Sequence, residues 1–169
     1  NTQTAACNSF IERIVSNTST VCGFEIYRPI DVNGYPAYNS FPLYDKNWST
    51  PSNLFQRYQK IIDKLLEGYT FNSFLFHLES ANFVKNSGYF SAPANATVLL
   101  QEFYNFLFVI TPTGERYKYF EQALLGGLSV INWQFEWQNY IITNDASAVT
   151  IALNNLIKAM VKSPEYQVM

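Results

Sequence analysis

Histidine is almost missing from this chain: His77 is its one imidazole. That scarcity removes the usual general base for a serine or cysteine nucleophile, unless His77 itself serves. No Gly-x-Ser-x-Gly elbow accompanies it. The string His77-Leu78-Glu79 matches half of a zinc-deaminase signature, but the Cys-x-x-Cys half is lacking. No Glu-x-x-His pair completes a di-iron site either. Glycine is sparse, and the isolated pair Gly126-Gly127 is not followed by the Lys-Ser/Thr of a phosphate loop. The expectation is a protein with no metal, no cofactor and no catalytic centre. Glu102 and Glu136 are the two carboxylates whose apolar neighbours suggest acid/base chemistry. The favoured reading is the plainer one, with Glu102 at the helix surface or paired with Arg116 and Glu136 merely exposed.

Charge is also scarce. Ionised residues make up 14% of the chain, against about 25% in an average soluble domain. Its 11 Lys and Arg residues are scattered, and the net charge is −2. The nearest approach to a basic cluster, Arg57, Lys60 and Lys64, is interrupted by Asp63 and followed by Glu67. That alternation reads as a solvated helix face, so nucleic acid is excluded as an expected partner.

Long uninterrupted apolar runs are lacking too. Residues 98–110 are too few to span a bilayer and include Gln101, Glu102 and Asn105. Residues 124–142 are long enough, yet Asn132, Gln134, Glu136, Gln138 and Asn139 would stand unsatisfied in lipid. No transmembrane segment is expected. The polar start at Asn1, without Met or an apolar leader, reads as a mature, processed chain.

Cysteine occurs twice, at Cys7 and Cys22. The spacing fits neither a Cys-x-x-Cys redox pair nor a zinc knuckle. A disulfide is expected, closing the first helix onto the segment that follows. Such a loop removes about 3 kcal/mol of unfolded-chain entropy in the chain-entropy description. It implies an oxidising compartment.

What fills the gap left by charge is Asn, Ser, Thr and Gln, together with 17% aromatic residues. A polar but uncharged surface fits a secreted protein, or one on a virion or cell surface. Asn17, Asn47 and Asn95 each begin an Asn-x-Ser/Thr sequon and are candidate N-glycosylation sites.

Periodicity predicts an all-α fold: one domain over residues 1–169, a bundle of about six or seven helices. Cys7, Phe10, Ile11, Ile14 and Val15 form the stripe of a first helix, ending in the Ser/Thr/Asn run at 16–20. Residues 23–49 hold Pro29, Pro36 and Pro42 among many aromatics, and no helical period survives there. This is a long irregular Pro/Tyr-rich arm. The helical core spans residues 50–163. Thr50-Pro51 opens a helix that Gly68 closes. A second is expected over about 72–85, with Phe71, Phe74, Leu75, Leu78 and Ala81 inward and His77 at the edge of the stripe. A third, over 96–110, is apolar nearly all round and is expected at the centre of the bundle. Glu115 restarts the chain into a helix to about Leu125. Residues 128–142 are ambiguous: Ile131, Phe135 and the tryptophans Trp133 and Trp137 alternate as in a strand, while Val130, Trp133, Trp137, Tyr140 and Ile141 fit a helix, which we favour. Asn144-Asp145 caps the last helix, which Pro164 ends.

Two functional expectations follow. The leading one is a non-enzymatic protein acting through protein–protein contacts, by self-assembly or by binding a surface partner. Its contact residues are Tyr27, Tyr35, Tyr38, Tyr44 and Trp48 in the arm, where Tyr supplies contact area at low entropic cost. The alternative is an extracellular carrier of a small apolar ligand, held in a helical interior lined by Phe74, His77, Phe103, Phe106 and Trp133.

Overall fold

The computed structural model describes residues 2–21, 50–71 and 73–167. These are mostly helical, with eight helices and one two-stranded sheet. The expected all-α character holds in that coarse sense. The arm at 23–49, Cys22 and Asn47 lie outside the described residues. The chain divides into two compact units, residues 1–78 and 79–169.

In the first unit, α1 (Thr2–Val21) runs straight through the Ser/Thr/Asn stretch that was expected to end it. Its inward residues are Ala6 and Phe10, whereas Ile11 stays exposed. Helix α2 occupies residues 51–67 as three consecutive pieces: Pro51–Gln56, a π-helical stretch Arg57–Asp63, and Lys64–Glu67. It opens as expected: Thr50 Oγ1 accepts from Asn53 N at 3.2 Å, and Pro51 follows, where a missing N–H costs nothing. Gly68 closes it at φ +100°.

The next segment corrects the sequence expectation. Instead of a helix over 72–85, strands β1 (Tyr69–Phe71) and β2 (Phe74–Phe76) pair antiparallel, with Tyr69 opposite Phe76 and Phe71 opposite Phe74. The alternation Tyr69, Phe71 and Phe74, Phe76 puts all four rings on one face, with Thr70 and Leu75 on the other. Phe10 lies on the ring face, 3.9 Å from the Phe76 centroid and 5.8 Å from Tyr69. Arg13 sits 5.3 Å over the Phe71 ring. Ser73 adopts φ +66°, the left-handed conformation that a two-residue hairpin connection demands. His77 therefore follows a strand and is exposed, not set on the flank of a helix.

The second unit contains α3 (Ser80–Asn86), α4 (Ala96–Leu107), α5 (Glu115–Leu125), α6 (Val130–Thr143), α7 (Ser147–Val161) and the single turn α8 (Pro164–Gln167). Its centre is α7, which packs against α3, α5, α6 and α8. The expectation that residues 96–110 would be central is overturned. Helix α4 buries Leu99, Leu100, Phe103 and Tyr104 but presents Gln101 and Asn105, hydrogen-bonded to each other at 3.1 Å, to solvent. The helix stops at Leu107, leaving Val109 and Ile110 outside it and exposed. Gly126 (φ +59°) and Asn144 (φ +61°) end α5 and α6 in the left-handed conformation that frees the last carbonyls for capping. Asn144 thus closes α6, and Asp145 serves α7 by accepting from Ser147 N at 3.0 Å. Pro164 does not merely end α7; it begins α8. No described helix is long and apolar enough to cross a membrane.

Candidate interaction surface

Helix α6 is built with two apolar faces. One carries Trp133, Trp137 and Tyr140, each buried. Trp133 donates its Nε1–H to the Pro93 carbonyl at 2.9 Å and packs at a tilt on Trp137, which meets Tyr140 edge-on. The other face carries Ile131, Phe135 and Ile142, which are 59%, 63% and 83% exposed. At 3.6 residues per turn the two stripes lie roughly 160° apart around the helix. Leu128, just ahead of the helix, is exposed as well. One face satisfies the unit's own core; the other is large, apolar and covered by nothing described.

That geometry explains the ambiguity of residues 128–142. Ile131, Trp133, Phe135 and Trp137 alternate because successive odd positions fall on opposite sides of a doubly apolar helix. The helical reading holds, and the strand-like signal was the mark of the exposed stripe.

A second cluster of rings lies between α3 and α4. Phe83, Tyr89 and Phe106 stand 5.3 to 6.3 Å apart, centroid to centroid, with Tyr89 and Phe106 largely exposed. Beneath them Phe90 packs on Phe103 at 4.7 Å.

Among the residues expected to line a ligand cavity, Phe103 and Trp133 are buried in the second unit and Phe106 is half exposed there. Phe74 and His77 belong to the hairpin of the first unit. The described groove of the second unit has a different character. About 460 Å³ in volume, it runs between α5 and α7 and is lined by Arg116, Tyr119, Lys158 and Lys162 over a floor of Ala123 and Ala159. Arg116 is already engaged: it grips Glu165 through two hydrogen bonds of 2.6 and 2.7 Å and lies 5.1 Å over both Tyr119 and Phe120. That contact holds the Glu165 carboxyl below the usual carboxylate range.

The carboxylates considered for acid/base chemistry do not converge. Glu136 is exposed on α6. Glu102 accepts at Oε1 from both the N–H and the hydroxyl of Ser91, at 2.9 and 2.6 Å, and so fastens the 88–95 turn onto α4. Arg116 pairs with Glu165, not with Glu102. Tyr104 is fully buried, and burial, then Tyr117 and Glu121, push its hydroxyl well above the usual phenol range. It remains a neutral core residue. Among the described residues, no group of three or more His, Cys, Asp or Glu side chains is placed to hold a metal.

Cys7 is exposed on α1, and its expected partner Cys22 lies outside the described residues. The same holds for Tyr27, Tyr35, Tyr38, Tyr44 and Trp48. The sequon residue Asn95 is exposed as the N-cap of α4, where its Oδ1 accepts from Thr97 N and Val98 N. Asn17 falls within α1.

No protein-family model matches the chain, and neither a curated protein nor a solved structure shows significant similarity to it.

Proposed function

We propose that this protein works through contact with other protein chains, and that the exposed stripe of α6 is a principal contact surface. The observation that carries the reading is the second apolar face. A monomer's largest apolar patch is about 300–600 Å² and is often functional. Ile131, Phe135 and Ile142, aligned along one helix, and Leu128 just ahead of it together offer roughly 500 Å² of such surface. Keeping a phenyl ring and three large aliphatic side chains in water is unfavourable, by about 25 cal/mol for each Å², unless another chain covers them.

The charge-poor composition supports the same reading, since depletion of charge with enrichment in aromatics characterises interface cores. The arm at 23–49, with its tyrosines and Trp48, is a second contact element of this proposal. An oxidising, extracellular setting with a Cys7–Cys22 disulfide is part of it.

The test is a photo-reactive benzoylphenylalanine placed at 135 and, as a control, at 136, which projects away from the stripe. Irradiation of the protein in its natural source should yield adducts with a protein chain at 135 and none at 136. Absence of any adduct at 135 would remove the basis of the reading.

A further inference from the structure

We infer that the occupant of the exposed α6 face is the same face of a second copy, making an isologous dimer; this rests on the contact reading above and names its partner. The first argument is spacing. Leu128, Ile131, Phe135, Gln138 and Ile142 follow one another at intervals of three, four, three and four residues. From Ile131 on, that is the three-four spacing by which one helix meets another at a shallow angle, with Leu128 just ahead of the helix and the exposed Val130 and Ile141 widening the face on one side. A helix is therefore the fitting partner, and the seam's centre is Phe135.

The second argument is charge. From Leu128 to Ile142 the one ionised side chain is Glu136, which lies well off the seam by helical geometry. The exposed residues flanking the seam include Asn132, Gln134 and Asn139. Each amide is both donor and acceptor, so an edge of amides is complementary to itself. A seam flanked by charge of one sign would repel its copy and select an oppositely charged partner. Neutral edges impose no such penalty. Gln138, exposed within the seam, supplies a polar position of the kind that fixes register between paired helices.

The third argument is area. Two such faces bury on the order of 1,000 Å² in total, the lower bound for a specific interface. The dimer is accordingly weak and concentration-dependent, and two-fold symmetry closes it against further growth. Whether the helices run parallel or antiparallel about the seam's midpoint, Phe135 meets Phe135 of the copy.

Sedimentation of the full chain over a hundredfold range of concentration tests this. Wild type should shift from monomer to dimer. Phe135→Glu and Phe135→Lys should each weaken association at least tenfold while keeping the wild-type helical spectrum, because the side chain they replace is already exposed. Mixing the two in equal amounts should restore a dimer that native mass spectrometry shows to contain one of each. Glu136→Lys, off the seam, should dimerise as wild type. A wild type that stays monomeric overturns the inference, as does a Phe135→Glu variant that dimerises normally or a mixture that stays monomeric. A benzoylphenylalanine adduct from 135 to residues of its own chain overturns it as well. Should purified protein be monomeric while the 135 adduct contains a different protein, the dimer falls and the contact reading stands. With no adduct at all, both fall.

Discussion

Trp133 and Phe135 are two residues apart in α6 and face opposite ways, the first 3% exposed and the second 63%. The same aromatic character does different work at the two positions. Trp133 → Phe removes the 2.9 Å bond to the Pro93 carbonyl, strands that acceptor and empties part of the core. It should cost about 1–3 kcal/mol in chemical denaturation. Phe135 → Ser should alter stability by no more than about 0.5 kcal/mol at concentrations where the chain is monomeric. Comparable losses at both positions would mean that Phe135 belongs to a core.

Gly68 turns the chain from α2 into β1 at φ +100°, a conformation that side chains rarely adopt. A Cβ there would also approach Leu75 Cδ1 to 2.9 Å. Leu75 is exposed and can swing aside, so the backbone dominates the cost. Gly68→Ala should destabilise the first unit by about 1–2 kcal/mol, read as urea sensitivity of limited proteolysis within residues 1–78. Adding Leu75→Ala should recover little of it; full recovery would assign the cost to the side-chain contact instead.

How much of this was legible in the sequence depended on how local the cause was. Thr50-Pro51, Gly68 and Glu115 mark helix ends because capping is a property of a few adjacent residues. The hairpin was missed because Phe71, Phe74, Leu75 and Leu78 satisfy a 3.6-residue period as well as Tyr69, Phe71, Phe74 and Phe76 satisfy a period of two. What decides is Phe10, more than fifty positions earlier, stacking on the ring face. The central place of α7 rather than α4 likewise depends on which helix the others surround, and both carry adequate stripes. The α6 surface was legible in part: its alternating apolar pattern was visible, but one strand-like signal and one helical signal could be separated only by knowing which residues point inward.

Asn95 caps α4 through its side-chain oxygen and also heads a sequon. Asn95→Ala should cost about 1 kcal/mol, while Asn95→Asp, which keeps a capping oxygen, should be near neutral. If the site is glycosylated in its source, both substitutions should remove the same mass increment from the chain. Equal destabilisation by Ala and Asp would show that the cap contributes nothing.

The pair Arg116–Glu165 joins the first turn of α5 to α8. Because its folded-state pKa is depressed, chiefly by the Arg116 hydrogen bond, Glu165 contributes stability above its unfolded pKa. That contribution is lost as pH falls from the ordinary carboxylate range through the lower folded value. The side chains are 43% and 33% exposed, so solvent screening limits the effect to about 1 kcal/mol or less. Glu165→Gln should flatten that part of the acid limb in thermal melts, and added salt should shrink the difference. A variant with the wild-type acid limb would show that the pair does not couple to folding.

The central claim is that the outer face of α6 is covered by another protein chain when the protein is at work. Hydroxyl-radical footprinting measures this directly, comparing dilute purified protein with protein in its natural assembly. Ile131, Phe135 and Ile142 should be oxidised readily when dilute and protected in the assembly, while exposed Tyr119 on α5 reacts equally in both. Equal oxidation of Phe135 in the two states would contradict the account.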